Sequence, residues 1–213
     1  MCGRYFLLVK LNELKKRYGI EAADIDYHPP GEVFPTHRVP VIVENEKDNK
    51  RNIEKFKWGF SPSFTNNSII NARAETIADK NLFKNPFQEK RCIIPANLFY
   101  EWKDTASNKV KYEIGVKDRE IISLAGIYDT FKDNNGDKID CFTIITTNPS
   151  KKISRIHSRM PVILTDDGED KWLISNNNNN IEKLKELLTP YQDEKIEIDR
   201  ADNSQSEQLE LPF

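Results

Sequence analysis

The sequence predicts an α+β protein: one β-rich domain in which an antiparallel sheet curls partly into a barrel, with a few short helices at its margins. Three observations carry that expectation. Short apolar runs, alternating or continuous, recur along most of the chain and are separated by Gly, Asn, Asp and Pro turns. Helical periodicity is confined to a few brief segments. Neither an internal repeat nor a long linker divides the 213 residues, which suffice for one sizeable core.

Taken in order, the first strand is expected at Tyr5 to Val9, close enough to the amino group to pin the chain end inside the fold. A helix follows over Asn12 to Tyr18 and stops at Gly19, a residue suited to the left-handed helix end. Apolar runs at Val39 to Val43 and Ile53 to Trp58 give two strands, and Glu75 to Asp79 gives a short helix. Four more strands are read at Arg91 to Ile94, Leu98 to Trp102, Tyr112 to Val116 and Ile121 to Ile127. Lys132 to Lys138, with Asn134-Asn135-Gly136-Asp137 inside it, reads as a hairpin loop before the strand Phe142 to Thr146.

A helical stretch is expected over Pro149 to Ile156 and a strand over Pro161 to Leu164. The last helix spans Ile181 to Leu188, with apolar residues at Ile181, Leu184, Leu187 and Leu188. The run Asn176 to Asn180 before it reads as a loop ending in an N-cap. Residues 1–200 are assigned to the domain and 201–213 to an acidic C-terminal tail.

Composition narrows the function classes. No apolar stretch approaches the roughly 20 residues that span a bilayer, and no basic segment with an apolar signal core opens the chain. A soluble, cytoplasmic monomer is expected, associated with the nucleoid if bacterial. Three cysteines, Cys2, Cys92 and Cys141, form no Cys-x-x-Cys pair, and the only histidines are His28, His37 and His157. Neither a disulfide framework nor a metal site or other cofactor is expected. The formal charge is -2, but Tyr191 to Phe213 holds seven acidic and two basic residues, so residues 1–190 carry +3. That surplus permits phosphate binding without establishing it.

Cys2 is the most informative residue. Removal of Met1 would expose an amine with a pKa of about 8 beside a thiol of about 8.5, and this pair reacts with aldehydes. The amine forms an imine and the sulfur closes onto it, giving a five-membered thiazolidine.

Four other segments exceed plain scaffold. Asn71-Ala72-Arg73-Ala74-Glu75 puts Asn71, Arg73 and Glu75 on one side if extended; equally, it reads as a helix entry with Asn71 near the cap. Phe99-Tyr100-Glu101-Trp102 sets a carboxylate in an aromatic run, facing either solvent or a pocket that raises its pKa. Ile156-His157-Ser158-Arg159-Met160-Pro161 lies between a helical stretch and a strand, where loops carry functional groups. Lys57 to Phe64 places aromatics around Gly59, as a core or as a surface for base stacking.

Cys2-Gly3-Arg4-Tyr5, Trp58-Gly59-Phe60, Asn71 to Thr76, Arg91 to Pro95 with Phe99 to Trp102, and Ile156 to Leu164 occur in this order across nearly the whole chain. Together they resemble the SOS response-associated peptidase (SRAP) family. The chain differs from the usual family pattern at Glu32 to Thr36, at Asn97-Leu98 and at Phe64. What the resemblance implies is a β-rich fold that binds single-stranded DNA and traps abasic sites covalently through Cys2. It also implies that Cys2, Asn71, Arg73, Glu101 and His157 line the active site.

On that basis Glu101 is expected to shuttle protons, His157 to serve as a second acid or base, and Asn71 to hydrogen-bond the sugar. Arg73, helped by Arg4 and Arg159, is expected to hold phosphates, and Trp58 and Phe64 to stack on bases. Two rival readings remain: a thiol peptidase removing its own Met1, and a noncovalent single-stranded DNA-binding module. Gln208-Leu209-Glu210-Leu211-Pro212-Phe213 resembles peptides that dock on the bacterial sliding clamp; short apolar motifs recur by chance, and the favoured reading is that Leu209 and Leu211 pack the chain end on the domain.

Overall fold

The structure, a computed structural model, describes residues 2–45, 48–106, 108–133, 135–174 and 180–201. Its strands are β1 (Tyr5–Leu7), β2 (Gly31–Val33), β3 (Arg38–Glu44), β4 (Arg51–Trp58), β5 (Asn71–Arg73), β6 (Arg91–Ala96) and β7 (Leu98–Asp104). Then come β8 (Lys109–Val116), β9 (Ile122–Lys132), β10 (Lys138–Thr147), β11 (Met160–Pro161), β12 (Ile163–Leu164) and β13 (Ile196–Arg200). Four helices accompany them: α1 (Leu11–Tyr18), α2 (Asn81–Glu89), α3 (Asp166–Leu173) and α4 (Ile181–Glu186). None is long and apolar enough to cross a membrane.

Two sheets share these strands. One has the order β13-β8-β7-β1-β2 and is antiparallel throughout. In the other, β10, β4, β3, β6 and β9 follow one another, and β9 pairs back to β10, closing a five-stranded barrel. An odd number of strands cannot alternate direction all the way round a ring. The unavoidable parallel contact falls between β4 and β10, with Cys141 opposite Lys57 and Phe142 opposite Trp58. The β-rich, mainly antiparallel and partly barrel-like fold read from the sequence is what the structure has, with these parallel pairings added.

Strand β5 continues that parallel line, setting Ile144, Ile145 and Thr146 opposite Asn71, Ala72 and Arg73. Thus β4 and β5 act as one interrupted staple along β10, and residues 59–70 are an excursion from it. The excursion leaves through Gly59, whose φ of +113° suits glycine and whose Cβ, if present, would lie 2.8 Å from the Ser68 Cβ. It is tied by Phe60 and Ile69, which exchange backbone hydrogen bonds of 3.1 and 2.9 Å.

Apolar packing joins the sheets. Tyr5 of β1 and Trp58 of β4 approach to 5.3 Å between ring centroids, and Trp58 stacks on Phe142 of β10 at 6.2 Å and 8°. All three rings are fully buried. Arg91, at the start of β6, closes the ends of two helices: it donates to the Phe87 and Gln88 carbonyls of α2 and to the Trp172 and Ile174 carbonyls at the end of α3. Those are C-terminal carbonyls with no intrahelical partner, where a cation is favoured.

Several expectations need correction in detail. The helix over Glu75 to Asp79 is a single 3-10 turn, Ala74–Thr76, and the stretch Pro149 to Ile156 contains only the 3-10 turn Ile153–Arg155. The strand over Pro161 to Leu164 is split, because Val162 donates to Ile145 of β10 while its carbonyl accepts from Ala125 of β9. Asn180 does cap α4, its side chain accepting from the Glu182 N–H at 3.0 Å. The remainder of the Asn run lies outside the described residues, as do Gln208, Leu209, Leu211 and Phe213.

Candidate active site

The site forms where β1 and β7 of the open sheet meet β5 and the end of β10. Cys2 sits just before β1 and is fully buried. Its carbonyl accepts from Asn71 Nδ2 at 2.9 Å, and its Sγ lies 3.8 Å from the Arg4 carbonyl. Extended backbone at Asn71–Arg73 makes the first bond: the segment is a strand as far as Arg73, with Asn71 pointing at the chain end, and Ala74 and Glu75 then enter a 3-10 turn.

Alternation on β7 settles the second choice. Glu101 is 2 % exposed and therefore faces inward, on the same side as fully buried Phe99. β1 braces this strand, with Tyr5 opposite Phe99 and the Tyr100 N–H donating to Arg4 O at 2.9 Å. Burial pushes the Glu101 carboxyl up to about 7. Such a group exchanges protons readily near neutrality.

His157 follows the 3-10 turn after β10 and brings Nε2 to 3.9 Å from Glu101 Oε2. Its Nδ1 lies 3.0 Å from the Arg159 backbone nitrogen and 3.1 Å from the Arg159 carbonyl oxygen, contacts that hold the ring in either tautomer and turn Nε2 toward Glu101. Burial lowers its pKa, favouring the neutral ring. The Cys2 thiol is raised well above its ordinary range, first by burial and then by the Glu101 charge. Sulfur in this pocket is therefore a protonated thiol until a base relieves it.

Cys2, Asn71, Glu101 and His157 thus converge from four separate elements. The expected DNA-contacting residues do not behave alike. Arg73 is exposed beside them. Phe64, at 74 % exposure, stands out from the excursion between β4 and β5. Arg4 is half-buried, lies 4.1 Å over the Phe34 ring and 5.2 Å over that of Trp102, and donates from Nη1 to Glu32 at 3.3 Å.

One expectation is corrected. Trp58 cannot stack on a base, because it is wholly enclosed and its Nε1 donates to the Ile70 carbonyl at 3.0 Å. Arg159 is engaged within the protein: Nη1 and Nη2 bind the two Glu75 oxygens at 2.6 and 2.9 Å, and Nη2 also reaches Thr146 O at 2.6 Å.

Sequence reading gave no role to Glu75 or Glu32. Both hold arginines, Glu32 accepting also from Lys111 Nζ at 2.7 Å on the outer face of the open sheet. Glu75 and Arg159 are 84 positions apart, so local spacing carries no signal for their pairing.

Comparison with known proteins gives concordant results. Residues 1–204 match the model of the family SOS response associated peptidase (SRAP). The chain is 35 % identical over 205 residues to abasic site processing protein YoqW of Bacillus subtilis, covering 92 % of this chain and 90 % of that one. It is also 35 % identical over 205 residues to abasic site processing protein YobE of the same organism, covering 92 % of each. A crystal structure of a Bacteroides thetaiotaomicron protein superposes with a TM-score of 0.82 at 30 % identity, over 93 % of this chain and 91 % of that one.

Proposed function

The chain belongs to the SOS response-associated peptidase family, and from that premise we propose that it processes abasic sites in single-stranded DNA by capturing them covalently on Cys2. The observation that carries this reading is the convergence of Asn71, Glu101 and His157 on a chain end built into the fold. Names of the relatives, abasic site processing proteins, support the substrate class.

Removal of Met1 frees the Cys2 amine. An abasic deoxyribose presents an aldehyde in its open form, and the amine adds to that carbon. Glu101, whose carboxyl ionises near neutrality, takes a proton from the amine and returns one to the departing hydroxyl, so that water leaves and the imine forms. The Cys2 sulfur, deprotonated in turn, adds to the imine carbon, and the nitrogen recovers the proton. His157 is the second proton carrier, opposite Glu101, and serves ring opening of the sugar and reversal of the adduct.

Asn71 holds the backbone of the nucleophile while its Oδ1, buried and without a hydrogen-bond partner among the described residues, is available to a sugar hydroxyl. Arg73 and the half-exposed Arg4 provide positive charge for flanking phosphates, and Phe64 a ring for stacking.

Intact mass of the protein after incubation with an abasic single-stranded oligonucleotide tests the reading. The expected mass is that of protein lacking Met1 plus oligonucleotide minus one water, surviving denaturation; Cys2→Ala should give none. An equal adduct yield from Cys2→Ala rejects it. The same measurement reports whether purified protein sheds Met1 by itself, the step a thiol autopeptidase would perform.

A further inference from the structure

We propose that Glu75 is a positioning residue for His157, acting through Arg159. The proposal rests on the reading of His157 as a proton carrier.

The chain of contacts is continuous. Glu75 follows β5, the strand that carries Asn71, and its two oxygens bind Arg159 Nη1 and Nη2 at 2.6 and 2.9 Å. Arg159 precedes β11 on the other side of β10 and also anchors on Thr146 O at 2.6 Å and Asn148 Oδ1 at 3.3 Å. Thr146 is the meeting point: it lies opposite Arg73 of β5 and opposite Pro161 of β11. The guanidinium therefore straps the end of β10 with Glu75 as its far buckle. From the strapped residue, the backbone nitrogen and carbonyl oxygen lie 3.0 and 3.1 Å from His157 Nδ1 and fix the ring plane.

Energetics indicates what this ion pair is for. Glu75 is 42 % exposed in its side chain and Arg159 13 %, so the pair joins a half-exposed carboxylate to a mostly buried guanidinium and contributes to stability as well. A two-pronged Arg–carboxylate contact fixes orientation far better than a single bond. Imidazole Nε2 stands at 3.9 Å from Glu101, so a small rotation decides whether a proton can pass. Orientation of His157 is therefore a property the pair controls.

Glu75→Ala, Glu75→Gln and Arg159→Lys are compared with wild type by nitrogen-15 NMR of the histidine ring and by rates of adduct formation and reversal on abasic single-stranded DNA across pH. Wild type should show one predominant neutral tautomer at His157. Glu75→Ala and Arg159→Lys should show a tautomer mixture, a pH–rate profile displaced from wild type and about tenfold slower His157-dependent steps, measured well below each variant's Tm. Glu75→Gln, which keeps one acceptor, should recover part of the rate. In a His157→Ala background, Glu75→Ala should cause no further loss.

A wild-type tautomer in Glu75→Ala overturns the proposal, as does an undiminished loss in the His157→Ala background. Absence of any adduct with wild-type protein would instead reject the proposed function, and the ring tautomer would still report on the strap.

Discussion

Asn71 donates from Nδ2 to the Cys2 carbonyl at 2.9 Å, so β5, paired to the barrel strand β10, holds the segment that leads into β1 of the open sheet. Asn71→Ala should lower stability by about 1 kcal/mol, and Asn71→Asp by more, since a carboxylate faces the carbonyl with no hydrogen to donate. Both should slow adduct formation at least about tenfold, because the nucleophile is no longer placed. Urea unfolding and gel-resolved adduct kinetics check the two effects separately; wild-type kinetics in Asn71→Ala would remove Asn71 from the machinery.

Glu101 should make the protein less stable as pH rises. Its folded-state pKa is about 7 against an ordinary 4.5, so between these values the folded chain keeps a proton that the unfolded chain has released. Folding is favoured at the acid end and the advantage disappears as pH climbs through the folded pKa. Relative to Glu101→Gln, wild type should lose about 1–3 kcal/mol between roughly pH 4.5 and pH 7.5. Urea titrations of both proteins at several pH values would show the two curves diverging; parallel curves would mean that the carboxyl is not raised.

Trp58 and Phe64 should respond in opposite ways. Trp58→Phe removes a fully buried indole and its hydrogen bond to Ile70, for a loss of about 2 kcal/mol, yet leaves DNA affinity intact in the folded protein. Phe64→Ala changes stability by no more than about 0.5 kcal/mol but weakens single-stranded DNA binding by about 1–3 kcal/mol. Thermal melts paired with fluorescence anisotropy distinguish them, and equal affinity in Phe64→Ala would dismiss the stacking role.

Far from the thiol chemistry, Glu169 anchors a polar network that links α1, α3 and β9. Its side chain is 2 % exposed and accepts from Arg17 Nη2 at 2.6 Å and Ser123 Oγ at 2.7 Å, and Ser123 in turn contacts Tyr18 Oη at 2.9 Å. Glu169→Ala strands those donors and should cost about 3 kcal/mol. Differential scanning calorimetry would register a Tm drop of several degrees; an unchanged Tm would imply that the network rearranges freely.

Where alternation or apolar continuity was strong, as at Val39 to Val43, Ile53 to Trp58 and Ile121 to Ile127, the strands are where the sequence put them. Elements whose signals conflict escaped. Helix α2 buries Phe83, Pro86 and Phe87 on one face, but Pro86 reads as a breaker. Helix α3 begins at a clear cap, Thr165 accepting from the Gly168 N–H at 3.1 Å, yet is short and holds a glycine. Strand β13 lies within an acidic stretch, and only its pairing with β8 makes it a strand. In the site, residue types were legible but directions were not. Whether Glu101 faced inward and whether Asn71 was extended depended on contacts with β1 and β10, between residues far apart in the chain.

Because β4 and β5 lie end to end along β10, the segment from Gly59 to Ile70 is a detour with both feet fixed on the same rail. Its tip can be rewritten or resized with no change in barrel register, since the rungs on either side are secured independently. Sequence change in the detour therefore leaves the placement of Asn71 against Cys2 untouched.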